Sequence, residues 1–192
     1  LQQAGAAIRG KLGVPANSPE TELAPGMDRL AEEFVWGSIW ARPGLELDDR
    51  MLAGLSALTS KQRLPQLRRY IGAALHIGVP ARTIQEVFIH CGLYSGFPTI
   101  LNALALANEV FAEQGITVPD TELPDMDAEA LMAMGRETMH KLHGDRAEGG
   151  YAAPDNKTTA AMYPTAVAYG YGELWNRPGL DYRQRMICAV AA

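Results

Sequence analysis

Apolar residues along the chain recur at the three-to-four-residue spacing of amphipathic helices, and Gly and Pro punctuate the intervals. The pattern predicts a short Ala-rich helix over 1–12, ended by Gly13 and Pro15, and a loop over 16–25. A second helix over 26–41 carries Met27, Leu30, Phe34, Trp36, Ile39 and Trp40. Arg42-Pro43-Gly44 stops it, since Pro cannot continue a helix. A third helix runs over about 48–59, with Asp48 and Asp49 at the end where the helix dipole favours anions. Helices follow over 65–77, closed by Gly78, and over 81–95, apolar at Ile84, Val87, Phe88 and Cys91. Gly96-Phe97-Pro98 breaks the chain before a Leu/Ala-rich helix over 99–114, ended by Gly115. Residues 116–127 are polar, hold Pro119 and Pro124, and read as a linker. Helical spacing then resumes over 128–143, 159–176 and 181–192, with a loop over 144–158. No segment combines period-two alternation with β-branched enrichment, so the fold class is all-α.

Part of this pattern occurs twice. Residues 37–57 (GSIWARPGLELDDRMLAGLSA) and 172–192 (GELWNRPGLDYRQRMICAVAA) share nine of 21 positions at a constant spacing of 135. The shared residues include Gly37/Gly172, Trp40/Trp175, Pro43/Pro178, Gly44/Gly179 and Arg50/Arg185. Lys141-Leu142 likewise echoes Lys11-Leu12. An internal repeat is therefore expected: a complete helical copy over 1–115, a linker over 116–127, and an incomplete copy over 128–192. The first copy continues for about 58 residues beyond Ala57, and the second stops at Ala192. A truncated helical unit exposes faces that its missing helices would cover, so oligomerisation, or a remainder beyond the sequence, is expected.

Composition narrows the function classes. Of 192 residues, 47% are hydrophobic, enough for a sizeable core. A net charge of −5 argues against nucleic acid as a partner, which calls for a basic stripe. Charges of both signs are mixed along the chain and no apolar run reaches transmembrane length, so no membrane partner is expected. The two cysteines, Cys91 and Cys188, form neither Cys-x-x-Cys nor a zinc pattern. They read as buried free thiols in a reducing, cytoplasmic setting, with no metal site.

Candidate chemistry gathers in residues 50–98. Glu86, His90 and Tyr94 stand at i, i+4 and i+8 and so share one helix face. A carboxylate one turn from an imidazole can orient it and raise its basicity. The sequence around His90 (VFIHCGLY) is apolar on nearly every side, which suits a satisfied core residue or a site residue. On the preceding helix Tyr70 is a site candidate. His76 is a weaker one, since a cation near a helix C-terminus is explained by the dipole. Arg50 recurs as Arg185, which suggests a role common to both copies: substrate binding, or holding two helices together.

These residues have a familiar arrangement. The run RRYIGAALHIGVPARTIQEVFIHCGLYSGFPTILNALALANEV resembles the carboxymuconolactone decarboxylase family. Glu86-Val87, His90, Tyr94, Gly96-Phe97-Pro98 and Asn102-Ala103 match its pattern in order without a gap, and DDRMLAGLSAL resembles its Arg-containing upstream helix. The similarity covers roughly 30–113 and, for the opening helices, 165–192. It implies an AhpD-like all-α helical bundle, here duplicated, that assembles as a homo-oligomeric trimer or hexamer with sites near subunit interfaces. It also implies cofactor-independent decarboxylation of γ-carboxymuconolactone in aromatic catabolism. Thiol peroxidases of the AhpD type are relatives. Their Cys-x-x-Cys-x-x-x-His would fall on RLPQLRRY, where Arg63, Gln66 and Tyr70 stand, so that chemistry is not expected. The decarboxylase branch usually has His at the position of Tyr70 and Arg at that of Gly72.

The expected function is a lyase that decarboxylates a small carboxylated lactone or keto acid through an enolate, with no cofactor. His90, oriented by Glu86, would move the proton; Tyr70 and Tyr94 would bond the enolate; Arg50 would bind the substrate by its fork. Phe88, Leu93 and Phe97 would exclude water. The same groups would serve an isomerase, hydratase or aldolase. A non-catalytic oligomeric scaffold is the alternative of another class.

Overall fold

The computed structural model describes residues 1–16, 23–153, 155–159 and 162–192. The loop expected over 16–25 thus lies mostly outside the described residues. So do position 154 of the expected second loop and the early positions 160 and 161 of the helix expected over 159–176. Every regular element among the described residues is helical, so the fold is all-α. Two compact units divide the chain: Leu1–Val118 with Met186–Ala192, and Pro119–Arg185.

In the first unit, α2 (Met27–Leu30) runs on as a π-helical segment, Ala31–Trp40, and α1 (Gln2–Lys11) lies against that segment. Four helices form the bundle beside them: α3 (Leu47–Ser60), α4 (Leu64–His76), α5 (Ala81–Ser95) and α6 (Phe97–Glu113). Their apolar faces converge on a core that includes Met51, Leu55, Leu67, Ile71, Ile84, Val87, Phe88 and Ala107. Burial of such faces, rather than helix propensity, supplies most of the stability of helices this short. The expected Gly96-Phe97-Pro98 break is tighter than the sequence pattern suggests: α6 starts at Phe97 with Pro98 in its first turn. Pro fits there because the N–H it lacks would have had no helical partner.

The second unit holds α7 (Ala128–His143), capped by Asp127, whose carboxylate accepts from the Ala130 N–H at 2.8 Å. Short 3₁₀ turns occur at Gly144–Arg146 and Gly150–Ala152. The brief α8 (Tyr163–Thr165) runs on as a second π-helical segment, Ala166–Leu174, before α9 (Tyr182–Ala191) begins.

The helix expected over 26–41 is therefore π-helical along most of its length, as is its counterpart at a spacing of 135. The Ala41 N–H reaches the Trp36 carbonyl at 2.9 Å and the Trp175 N–H reaches the Gly170 carbonyl at 3.0 Å, both five residues back. Each π segment crosses its neighbouring helix at a pair of glycines. A Cβ on Gly5 would stand 2.3 Å from the Glu32 carbonyl oxygen, and one on Gly37 2.5 Å from that of Leu1. In the second unit, Gly135 stands against the Val167 carbonyl at 2.1 Å and Gly172 against that of Leu131 at 2.2 Å by the same measure. Only glycine lets the two backbones approach so closely.

Candidate functional site

Helix α5 begins after Pro80 and presents Glu86 and His90 to the interior, where both side chains are fully buried. Arg82, one turn before Glu86, brings Nη1 to 3.9 Å from Glu86 Oε1. One turn after His90 lies Tyr94, its ring edge-on to the imidazole with centroids 5.6 Å apart. Tyr94 is 47% exposed. The three groups thus form a polar column from the packed interior to the surface, on a helix whose Val87, Phe88 and Cys91 are also buried. Phe88 is buried but stands two residues from both Glu86 and His90, on the opposite side of α5 from the column. Leu93 and Phe97 do not keep water from it, for both are exposed, Phe97 to 64%.

Tyr70 stands on the preceding helix, α4. Its ring packs edge-on to Trp40 at 5.7 Å and lies 2.9 Å from where a Cβ on Gly54 would stand. Burial pushes its phenol above the ordinary 10.0, keeping it a hydrogen-bond donor at neutral pH.

Arg50 is engaged with the main chain rather than extended into an open pocket. Nε donates to the Leu45 carbonyl at 3.1 Å, Nη1 to that of Ile39 at 3.1 Å, and Nη2 to that of Arg42. Arg185 repeats the arrangement: Nη1 donates to the Leu174 carbonyl at 2.8 Å and Nη2 to that of Arg177. Each arginine therefore ties the end of a π segment to the Arg-Pro-Gly corner that follows. That corner turns at Gly44 and Gly179, whose φ values of 97° and 100° suit only glycine. Of the two roles open for Arg50 in the sequence, the structure displays the one that holds helices together.

His76, the last residue of α4, is exposed and lies against Gly13. It lines a cleft of about 1200 Å³ between α1, the π segment and α4, together with Arg9, Glu32, Trp36 and Arg69. Sequence reasoning missed these four partners. Arg69 and His76 share a helix face at i and i+7, a legible signal, but Arg9 and Glu32 meet only through the glycine crossing. Among the described residues no three His, Cys, Asp or Glu side chains are grouped to hold a metal ion. No described helix is long and apolar enough to cross a membrane.

Comparison with known proteins adds to this geometry. The model of the carboxymuconolactone decarboxylase family matches residues 25–109. A 15.0 kDa uncharacterised protein of Paracoccus denitrificans is 32% identical over 95 residues, 48% of this chain and 71% of that protein. The chain belongs to the carboxymuconolactone decarboxylase family. The 4-carboxymuconolactone decarboxylase of Acinetobacter baylyi is 37% identical over 83 residues, 43% of this chain and 62% of the relative. Nitrosuccinic acid decarboxylase of Metarhizium robertsii is 29% identical over 85 residues, 44% of this chain and 59% of the relative. The chain thus spans about three fifths of the length of these two decarboxylases. The family region contains the whole Glu86–His90–Tyr94 column, Tyr70 and Arg50, and excludes α1.

Proposed function

We propose that this member of the carboxymuconolactone decarboxylase family is a cofactor-independent carboxy-lyase acting on a small carboxylated lactone or keto acid. The observation that carries the reading is the column of Glu86, His90 and Tyr94 in an otherwise apolar surround. Burying an ionisable pair costs several kcal/mol relative to apolar filling of the same volume. A column that reaches the surface at Tyr94 gives that expense a use: it holds and moves a proton. Two relatives named as decarboxylases support the same direction.

In this mechanism the bond between the substrate's α-carbon and its carboxylate breaks. The electron pair passes to the adjacent carbonyl as an enolate, and carbon dioxide departs. Tyr94, and Tyr70 with its phenol held protonated, donate hydrogen bonds to the enolate oxygen. His90, positioned by Glu86, delivers the proton to carbon. Arg50 acts as a positioning residue, holding the corner next to Trp40 on which Tyr70 rests. A second copy of the chain would cover the exposed Leu93, Phe97 and Leu101 around the outer end of the column, giving a homo-oligomer.

A non-catalytic helical scaffold remains the competing reading, and one observation favours it: neither principal cavity is lined by Tyr70, Glu86 or His90. Assaying carbon dioxide release from a panel of carboxymuconolactones and small keto acids separates the two. Release from at least one compound, above the spontaneous rate, is expected. No release from any would leave the scaffold.

A further inference from the structure

The cleft beside His76 lies outside this chemistry, for none of Glu86, His90 and Tyr94 lines it. Its floor is a face of α4 on which Arg69, Gly72, Ala73 and His76 follow one another at helical spacing. A Cβ on Gly72 would meet nothing nearer than the Gln114 amide at 3.9 Å, so the floor is flat and open. Trp36 offers a planar, partly buried indole as a wall.

Charge in the cleft is unevenly spent. Arg9 is paired with Glu32 at 2.6 Å, and Arg29 with Glu33 at 2.9 Å. Arg69 has no ion-pair partner among the described residues and is exposed at the cleft. Asp28 also lines the cleft and has a partner of its own, which leaves the Arg69 guanidinium as the available charge, the donor set best matched to a carboxylate. His76 adds a second polar group about 10 Å further along the helix, at the usual rise per residue.

The second unit has a smaller cavity, about 320 Å³, at the matching place. Gln2, Ala6, Arg9, Asp28, Arg29 and Glu32 of the first cleft correspond, at spacings of 130 and 135, to Met132, Arg136, Met139, Tyr163, Pro164 and Val167. A hollow where the first helix crosses a π segment is thus common to both halves of the chain. What differs is its chemistry. At the positions of Met139 and Val167 in the second cavity, whose rim also holds Arg136, His140 and Glu148, the first carries the mostly buried ion pair Arg9–Glu32, and it opens onto Arg69.

We infer that this cleft binds a small aromatic carboxylate, its ring between Trp36 and the Gly72–Ala73 floor and its carboxylate on Arg69. Helix α1 forms one wall and lies outside the residues that the family model matches, whereas Trp36, Arg69, Gly72 and Ala73 lie within them.

The test uses the full chain and two matched probes, isophthalate and its uncharged diamide isophthalamide. Binding is followed by calorimetry and by the indole N–H resonance of Trp36. Isophthalate is expected to bind with Kd below about 1 mM, to shift the Trp36 resonance, and to bind at least about tenfold more tightly than the diamide. Arg69→Gln should erase that preference. Arg69→Lys, which keeps the charge and loses the fork, should fall between. Gly72→Leu should weaken both probes by raising the floor. Equal affinity for the two probes, no saturable binding of isophthalate up to 10 mM as the chosen upper concentration, or an unchanged Kd in folded Arg69→Gln would each overturn the inference. Carbon dioxide release in the same Arg69→Gln protein reads the separate proposal for His90 and is expected to be unaltered.

Discussion

His90 and Cys91 are adjacent in sequence and equally buried. The Cys91 thiol is pushed up to about 12, mainly by burial and against the hydrogen bonds from Ser56 and Ser60. A thiol with its pKa raised by folding stabilises the folded state fully below its unfolded value near 9.0. That contribution is lost as pH climbs from there towards 12. Iodoacetamide at pH 8 should therefore leave Cys91 unmodified until urea unfolds the chain, and urea midpoints should fall between pH 8 and 10.5. Labelling of native protein at the rate of a free thiol would refute this. The two clamping arginines differ in burial: Arg185 is fully buried, whereas Arg50 is partly exposed. Arg185→Gln should accordingly cost about 3 kcal/mol, and Arg50→Gln about 1, in denaturant unfolding. The Glu86–His90–Tyr94 spacing was legible because helix geometry alone puts i, i+4 and i+8 on one face. The clamp was not, since its acceptors are main-chain carbonyls at a corner, and carbonyls leave no mark in a sequence.

At the level of elements, helix positions followed from apolar spacing and from Gly and Pro to within a few residues, α5 most closely. The π register did not. A hydrogen bond to the fifth residue back differs from one to the fourth by about a hundred degrees of helix face, and the side-chain pattern tolerates both over one or two turns. The glycine crossings show what each π segment is packed against. Gly5→Ala would drive a Cβ into the Glu32 carbonyl, and Gly172→Ala would do the same to that of Leu131. Each should cost about 1–3 kcal/mol, a fall in Tm of several degrees. Gly10→Ala, whose Cβ meets nothing within 4 Å, serves as control and should be neutral or slightly stabilising. Equal Tm values for all three variants would mean that the crossings carry no close contact.

In both units the same parts recur, at spacings of 130 and 135: a glycine crossing, a π segment, a glycine corner and an arginine clamp. The shared letters at 37–57 and 172–192 include the glycines and arginines that these devices require, the residues to which geometry allows least freedom. Their partners are free to vary, which is why the two clefts differ in chemistry while keeping their place. Exposed apolar residues at the outer end of α5 and the start of α6 are the other feature at this scale. If a second copy covers them, Phe97→Glu with Leu101→Glu should lower the mass seen by sedimentation to that of one 20.8 kDa chain while preserving helical content. A wild-type chain that already sediments as a monomer would contradict that assembly.

The proposed chemistry turns on the His90 imidazole inside the bundle. Its most direct measurement is the turnover number of His90→Gln against wild type, on the first substrate from which carbon dioxide release is found, with folding checked by circular dichroism. Loss of roughly a hundredfold or more in kcat, with KM little changed, is the result predicted for a group that moves a proton in the transition state. A folded His90→Gln protein that turns over at the wild-type rate would contradict it.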